Sequence, residues 1–294
     1  MEFKRLTLDC INNLKPYFAN NQCRICDCTI GGTFIWRDYH KTEYAIEDGV
    51  LYFKVSYPEP AFTPPRSTEP NKGSYEQIIE YCCSEGVPAK LCAVSEPVLQ
   101  VILEKFPDSK AWTDRTWSDY LYKSDDLRNL SGRKYAGQRN HINHFLREHQ
   151  SWSYERITSD PSSLVKIEKF YEKYASEHKK ETLAYTEGDR KAMEVLGNLD
   201  DYGLLGGALY VSGELVGVSI GEVVDDTLFI HIEKAETKFH GAYPMLVNQF
   251  AVMFATEGIE YINREEDDGD EGLRISKLSY HPTALLNKYA VELH

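Results

Sequence analysis

The chain has 294 residues, 33 Lys and Arg against 46 Asp and Glu, and a formal net charge of −13. At 42% apolar and 12% aromatic, the composition excludes a disordered or fibrous polymer, and the length suffices for two domains of ordinary size. The charge excludes broad affinity for DNA or an anionic membrane, so any polyanion must meet a local basic patch.

The opening "MEFKRLTLDC" lacks the apolar core of a signal peptide. No run approaches the roughly 18 apolar residues that cross a bilayer, so a cytoplasmic protein without an integral membrane segment is expected. "QCRICDCTIGG" sets Cys23, Cys26 and Cys28 in a C-x-x-C-x-C arrangement, with His40 a conceivable fourth ligand. Zinc sites usually pair two such knuckles. No second one follows, and seven cysteines without an export signal read as thiols, so no metal is expected.

Val50–Tyr57 is β-branched and aromatic at period two and predicts a strand. A proline-rich loop over residues 58–73 follows, then a helix stopped by Gly86, a short strand "KLCAVS", and a helix closed by Pro107. This alternation predicts an α/β domain over residues 1–125. The second domain, residues 126–294, repeats the order. A basic helix over residues 130–149 precedes "DPSSLVKIEKFYEKYASE" and "TEGDRKAMEVLGNL", two further helices. Three strands joined at Ser212-Gly213 and Asp225-Asp226 come next, then an apolar helix ending at Gly258, a strand "IEYINRE" and a helix "GLRISKLSY". The fold class expected is α/β with a mixed sheet in each of two domains.

Several residues in this layout invite chemistry. On "TLFIHIEK" strict alternation puts Phe229, His231 and Glu233 on one face, where a proton acceptor and its orienting partner could cooperate. A half-exposed strand with polar residues in solvent is the plain alternative. In "ETKFHGAYPM" Lys238, Gly241 and Tyr243 take the places of a phosphate-wrapping loop at a helix N-terminus, with tyrosine standing where backbone access is needed. A glycine that only permits the turn is the other reading. In the basic helix, Tyr135, Arg139, Ile142 and Leu146 form a stripe, and an arginine among apolar neighbours calls for an anionic partner, most commonly a structural carboxylate. In "YINREEDDGDEGLRISKLSY" Asn263 and Glu265 share a strand face, and Arg274 and Lys277 lie at i, i+3 on the following helix. They converge at the carboxyl edge of the sheet, where open α/β sheets tend to place ligands. Acidic residues capping that helix and pairing with the two cations would equally account for Asp270 and Glu271.

Three long stretches, "WSDYLYKSDDLRNLSGRKYAGQRNHINHF", "FIHIEKAETKFHGAYPMLVNQF" and "YINREEDDGDEGLRISKLSYHP", together resemble the bacterial family related to the C-terminal domain of phosphatidylglycerol lysyltransferases. The resemblance implies tandem GNAT-like domains and, as in characterised relatives, transfer of an aminoacyl group from a charged tRNA to a lipid head group. Those relatives carry a membrane-spanning half. The acidic, span-free sequence instead suggests a small-molecule or peptide acceptor.

The reaction expected is direct attack of an amine or hydroxyl on an activated acyl or aminoacyl group. No serine or cysteine stands in a nucleophile motif. Glu233 or Glu265 would be the general base, and Lys277 with Arg274 would stabilise developing charge. Lys134, Arg139, Asn140, His231, Lys234, Gly241, Tyr243, Asn263, Arg264 and Tyr280 complete the candidate substrate-binding set. No tightly bound cofactor is expected, and acyl-CoA and aminoacyl-tRNA are the candidate donors. A non-catalytic module of the same fold holding a small anionic ligand is the alternative.

Overall fold

The computed structural model of the protein describes residues 1–19, 23–69, 74–158, 160–177 and 183–294. Residues 70–73, the end of the proline-rich loop, lie outside the described residues. Two compact bodies divide the chain: residues 1–119 together with 286–294, and residues 120–285.

The first body is built on strands β1 (Lys4–Arg5), β2 (Glu43–Glu47), β3 (Val50–Val55), β4 (Ala61–Phe62), β5 (Arg66–Ser67), β6 (Lys90–Ser95), β7 (Lys110–Thr113) and β15 (Lys288–Glu292). Their order is β1-β2-β3-β4-β6-β15-β7, with β5 also on β3. Helices α1 (Ile11–Leu14), α2 (Ile30–Ile35), α3 (Tyr75–Glu85) and α4 (Glu96–Lys105) complete it. The β2–β3 connection is Asp48-Gly49, both at positive φ, which matches the twist of a two-residue hairpin. Helix α3 begins where the Ser74 hydroxyl accepts from the Gln77 amide and ends at Gly86 in the left-handed conformation. Its Ile78 and Cys82 pack with Leu99 and Ile102 of α4 on Tyr52, Phe62 and Leu91 of the sheet.

The second body begins with β8 (Asp119–Lys123), α5 (Ser124–Asn129), α6 (Ala136–Glu148), β9 (Trp152–Arg156), α7 (Pro161–Glu177), α8 (Leu183–Gly197) and α9 (Leu199–Tyr202). It continues through β10 (Leu205–Val211), β11 (Glu214–Val224), β12 (Thr227–Ala235), α10 (Ala242–Phe254), β13 (Tyr261–Asn263), α11 (Glu271–Leu278) and β14 (Ala284–Leu286). The sheet order is β14-β8-β13-β12-β11-β10-β9. β12 and β13 run parallel, linked by α10, whereas β9 to β12 are joined antiparallel and β8 runs antiparallel to β13. That helix is apolar on most sides because it is enclosed: Val247, Phe250 and Phe254 pack on Leu228 and Ile230 beneath and on Tyr120, Tyr122 and Leu127 beside them. It stops at Phe254, one turn short of the glycine expected to end it.

The domain boundary expected at 125/126 therefore falls at 119/120, because residues 120–123 already belong to the second sheet. Residues 286–294 leave the second domain because β15 hydrogen-bonds to both β6 and β7. Among the described residues no helix is long and apolar enough to cross a membrane.

Candidate active site

The site grows out of a divergence between two strands. β12 and β13 pair over three positions only, Thr227 with Tyr261, Leu228 with Ile262 and Phe229 with Asn263. Beyond Asn263 the chain stays with β8: the Arg264 amide donates to the Tyr120 carbonyl at 3.0 Å and the Tyr120 amide to the Glu265 carbonyl at 3.2 Å. β12 meanwhile continues to Ala235. A wedge opens between them.

The expected alternation along β12 is broken inside this wedge. Opposite β11 the register steps from Ser219–Glu233 and Ile220–Ile232 directly to Gly221–Ile230, which leaves His231 as the extra residue of a bulge. Ser219 and Gly221 share a face of β11, so Glu233 shares a face with Ile230, beneath α10, and His231 turns to the opposite one. The shared face read for His231 and Glu233 from strict alternation is corrected accordingly.

Each of the two residues then finds its partner across the wedge. Arg264, 6% exposed, donates from Nε and Nη2 to Glu233 Oε2 at 3.1 and 2.7 Å, its guanidinium 4.8 Å from the Tyr280 ring centre. Burial opposes charge on Arg264, but the Glu233 carboxylate outweighs it and holds the guanidinium above arginine's ordinary range. Glu233 Oε1 and Arg264 Nη1 are buried and make no hydrogen bond. On the other face His231 donates from Nδ1 to Glu265 at 2.7 Å and from Nε2 to Glu222 at 2.9 Å. Burial disfavours its charged form, yet the two carboxylates raise it to about 10, so the ring is an imidazolium at neutral pH. Burial in turn lifts the Glu265 carboxyl above the usual carboxylate range.

The turn after β13 is fixed by the acidic run and the two cations that follow. Asn263 Oδ1 accepts from the Glu265 amide at 2.7 Å, and Glu265 adopts a positive φ of 56°, so these two residues do not share a strand face as expected. Lys277, 9% exposed, gives its ammonium to three carbonyls, those of Arg264, Glu265 and Glu266. An ammonium has three N–H donors, so none remains to stabilise a reacting oxygen. Burial and the nearby Arg264 charge lower its pKa. Arg274 grips Asp267 through two bonds of 3.0 and 2.8 Å, and Tyr120 donates to the same carboxylate at 2.5 Å. Both basic residues of α11 thus hold the turn, and Asp270 caps the helix on the Leu273 amide.

Above Arg264 lies a cavity of about 660 Å³, the size of a site for a small organic molecule. Of the residues expected to bind substrate, Lys134, Gly241, Tyr243, Arg264 and Tyr280 line it. Gly241 caps α10 at a φ of 88°, and a Cβ there would lie 2.3 Å from the His141 carbonyl of α6. Glycine is required for close helix packing as well as for the turn. The Tyr243 hydroxyl lies 3.1 Å from that of Tyr174, and the Lys234 ammonium 5.0 Å from the Tyr174 ring centre.

Arg139 is elsewhere. Its guanidinium donates to the carbonyls of Leu130 and Gly132, and the buried residues of α6 are Gln138 and Phe145, with buried Tyr135 just before the helix. The anionic partner expected for it is replaced by orphan carbonyls of the preceding turn. Asn140 is exposed, and Lys134 pairs with Asp126 at 3.0 Å. Two participants escaped the sequence reading: Glu222, which joins His231 only through the bulge, and His240, which stands 3.4 Å from His141 at the cavity wall. In the first body the sulfurs of the C-x-x-C-x-C stretch do not gather around one centre. Cys26 Sγ takes Lys288 at 3.1 Å, and His40 Nδ1 lies 3.0 Å from the Tyr57 carbonyl.

Residues 22–292 match the family described as phosphatidylglycerol lysyltransferase, C-terminal. A conserved protein of unknown function from Bacteroides thetaiotaomicron VPI-5482 has the same fold over the whole of both chains, at 30% identity and a TM-score of 0.89. The C-terminal domain of a candidate lysylphosphatidylglycerol synthetase from Agrobacterium fabrum superposes over 97% of this chain and 92% of its own, at 11% identity and a TM-score of 0.71. The architecture, two bodies each built on a mixed sheet with helices, is accordingly shared with that domain. An uncharacterised protein of Mycoplasmoides gallisepticum is 24% identical over 177 residues, 60% of this chain, and the match spans 56% of that relative's length.

Proposed function

We propose, from the premise that the chain belongs to the phosphatidylglycerol lysyltransferase C-terminal family, that it is a transferase moving an aminoacyl or related acyl group to a hydroxyl or amine by direct attack. The observation that carries this reading is the Glu233–Arg264 pair in the wedge between β12 and β13, which leaves one acceptor oxygen, Glu233 Oε1, and one donor nitrogen, Arg264 Nη1, without a hydrogen bond.

Transfer needs both. The attacking hydroxyl or amine loses its proton to Glu233 Oε1 as it bonds to the carbonyl carbon. The carbonyl oxygen gathers charge and accepts from Arg264 Nη1, a donor fixed before the reaction begins. Collapse breaks the bond to the leaving oxygen or sulfur, which takes the proton back from Glu233. His231 and Glu265 lace the other face of the wedge and hold the Arg264 backbone in place. Beyond Phe229 the edge of β12 has parted from β13, and it would offer backbone groups to an extended donor.

Two features weigh for an aminoacyl ester over acyl-CoA as donor. The Gly241 backbone is covered by His141, and Tyr243 occupies the place where a phosphate-wrapping loop needs a small residue. The net charge of −13 favours a small-molecule or peptide acceptor over an anionic lipid surface.

The test is thermal stabilisation by charged tRNA, acetyl-CoA and longer acyl-CoAs, followed by turnover of whichever donor binds in the wild type and in Glu233→Gln. A ligand specific to the native state raises the melting temperature by mass action. Charged tRNA is expected to stabilise, and the substitution to lower kcat by roughly 10²- to 10⁴-fold while leaving binding in place. Stabilisation by an acyl-CoA alone would move the donor assignment. Binding with wild-type turnover in Glu233→Gln would remove the base assignment.

A further inference from the structure

The first body carries a chemical site that the transfer reaction does not use. Cys23 and Cys28 bring their sulfur atoms to 2.7 Å from each other, and all seven cysteines of the chain are thiols. A disulfide is about 2.05 Å long, so the two atoms need approach by only about 0.7 Å to bond.

The loop that carries them is pinned by backbone. The Cys28 amide donates to the Ile25 carbonyl at 3.1 Å and the Thr29 amide to the Cys26 carbonyl at 3.0 Å. Arg66 donates to the carbonyls of Cys28 and Asp27 at 3.1 and 2.9 Å, its guanidinium 4.5 Å from the Phe18 ring centre. The third cysteine of the motif, Cys26, is buried and turned to Lys288 and Asp119. Cys23 and Cys28 instead line a cavity of about 230 Å³ together with Arg66, Ser67 and Ser95. That is room for the end of a small reagent. The two thiols are also unequal: the hydrogen bond from Cys28 lowers Cys23 to about 7, Arg66 acting in the same direction, and raises Cys28 well above the ordinary thiol range. A thiolate beside a neutral thiol is the arrangement that exchange chemistry requires.

We propose that Cys23 and Cys28 form a dithiol site that reacts with low-molecular-weight disulfides, Cys23 attacking and Cys28 resolving, and closes to an intrachain bridge. Cys23 sulfur attacks one sulfur of the small disulfide, whose S–S bond breaks and whose other half leaves as a thiolate. Cys28 then gives up its proton and attacks the Cys23 sulfur of the mixed disulfide, expelling the second small thiol, which takes that proton. Two protein thiols and one small disulfide become one protein disulfide and two small thiols.

The experiment exposes the folded full chain to glutathione disulfide at neutral pH, counts thiols and maps the bridge by peptide mass. Thiols are expected to fall from seven to five, with the bridge between Cys23 and Cys28. Cys28→Ser is expected to trap glutathione on Cys23 several-fold faster than on the exposed Cys83, and Cys23→Ser to trap none at Cys28. Melting curves of both variants confirm that they are folded. Seven thiols remaining in the wild type, a bridge elsewhere, or labelling of Cys28→Ser no faster at Cys23 than at Cys83 would each overturn the assignment.

Discussion

Glu233 and Arg264 are the residues on which the reaction stands, and they respond differently to substitution. Glu233→Gln keeps volume and one acceptor, so the loss is expected in turnover. Arg264→Met leaves a buried carboxylate without its cation, and removing one partner of a buried pair costs about 3–5 kcal/mol. Urea unfolding of this variant should show that drop; an unchanged midpoint would mean that Glu233 is solvated. His231 makes a prediction in pH. Its folded pKa of about 10 lies above the unfolded value of roughly 6.5, so its contribution is complete below pH 6.5 and is lost as pH rises through 10. Stability is expected to decline over that window in the wild type and to decline less in His231→Gln. The sequence named four of the five residues in these ion pairs, missed Glu222, and joined the rest wrongly. Alternation along "TLFIHIEK" is a sound rule for an unbroken strand, and the bulge that reverses it at His231 is set by a register on β11 that no local pattern reports. Arg139 failed for a related reason, since carbonyls of the preceding turn satisfy its half-buried guanidinium as a carboxylate would.

At the scale of elements, the turn between β13 and α11 is a clamp built from side chains onto backbone. Lys277 takes three carbonyls, Asp267 takes Arg274 and Tyr120, and Asp270 caps the helix. The acidic run of the sequence is thereby accounted for as structure. Arg274 holds the Asp267 carboxyl below the usual range, so its stabilising share is present above an unfolded pKa of about 3.9 and is lost as pH falls below it. Acid unfolding of Asp267→Asn should accordingly be less steep than that of the wild type. Gly241→Ala tests the approach of α10 to α6. A Cβ at 2.3 Å from a carbonyl, in a backbone conformation that costs about 1 kcal/mol or more for a non-glycine residue, should lower the melting temperature by several degrees. An unchanged value would show that the helices can separate. The hairpins at Ser212-Gly213 and Asp225-Asp226 and the helix stop at Gly86 were legible because turn chemistry is local. The three-residue length of β13 was not, because the strand ends where its partner diverges.

For the whole molecule, element order sufficed to read two domains of like architecture, whereas the boundary depended on long-range pairing. β15 lies between β6 and β7, and among the described residues β7 has no other strand beside it. Deleting residues 288–294 is therefore expected to unfold the first body, read as loss of amide-exchange protection in β6 and β7, while protection in β10 to β12 persists. Equal loss in both bodies would mean that they fold as one cooperative entity.

The position of β15 also bears on the order in which the chain acquires structure during synthesis. Domains generally fold from the N-terminus as they leave the ribosome. Here residues 120–285 are contiguous and complete before the strand at 288–292 has been translated. The nascent first body must wait with the β6 edge that β15 will cover unpaired, an exposed template for strand addition, until residues 288–292 have been translated. Translational stalling between the second body and residue 288 should thus leave a chain whose second body is native and whose first is the substrate of chaperones.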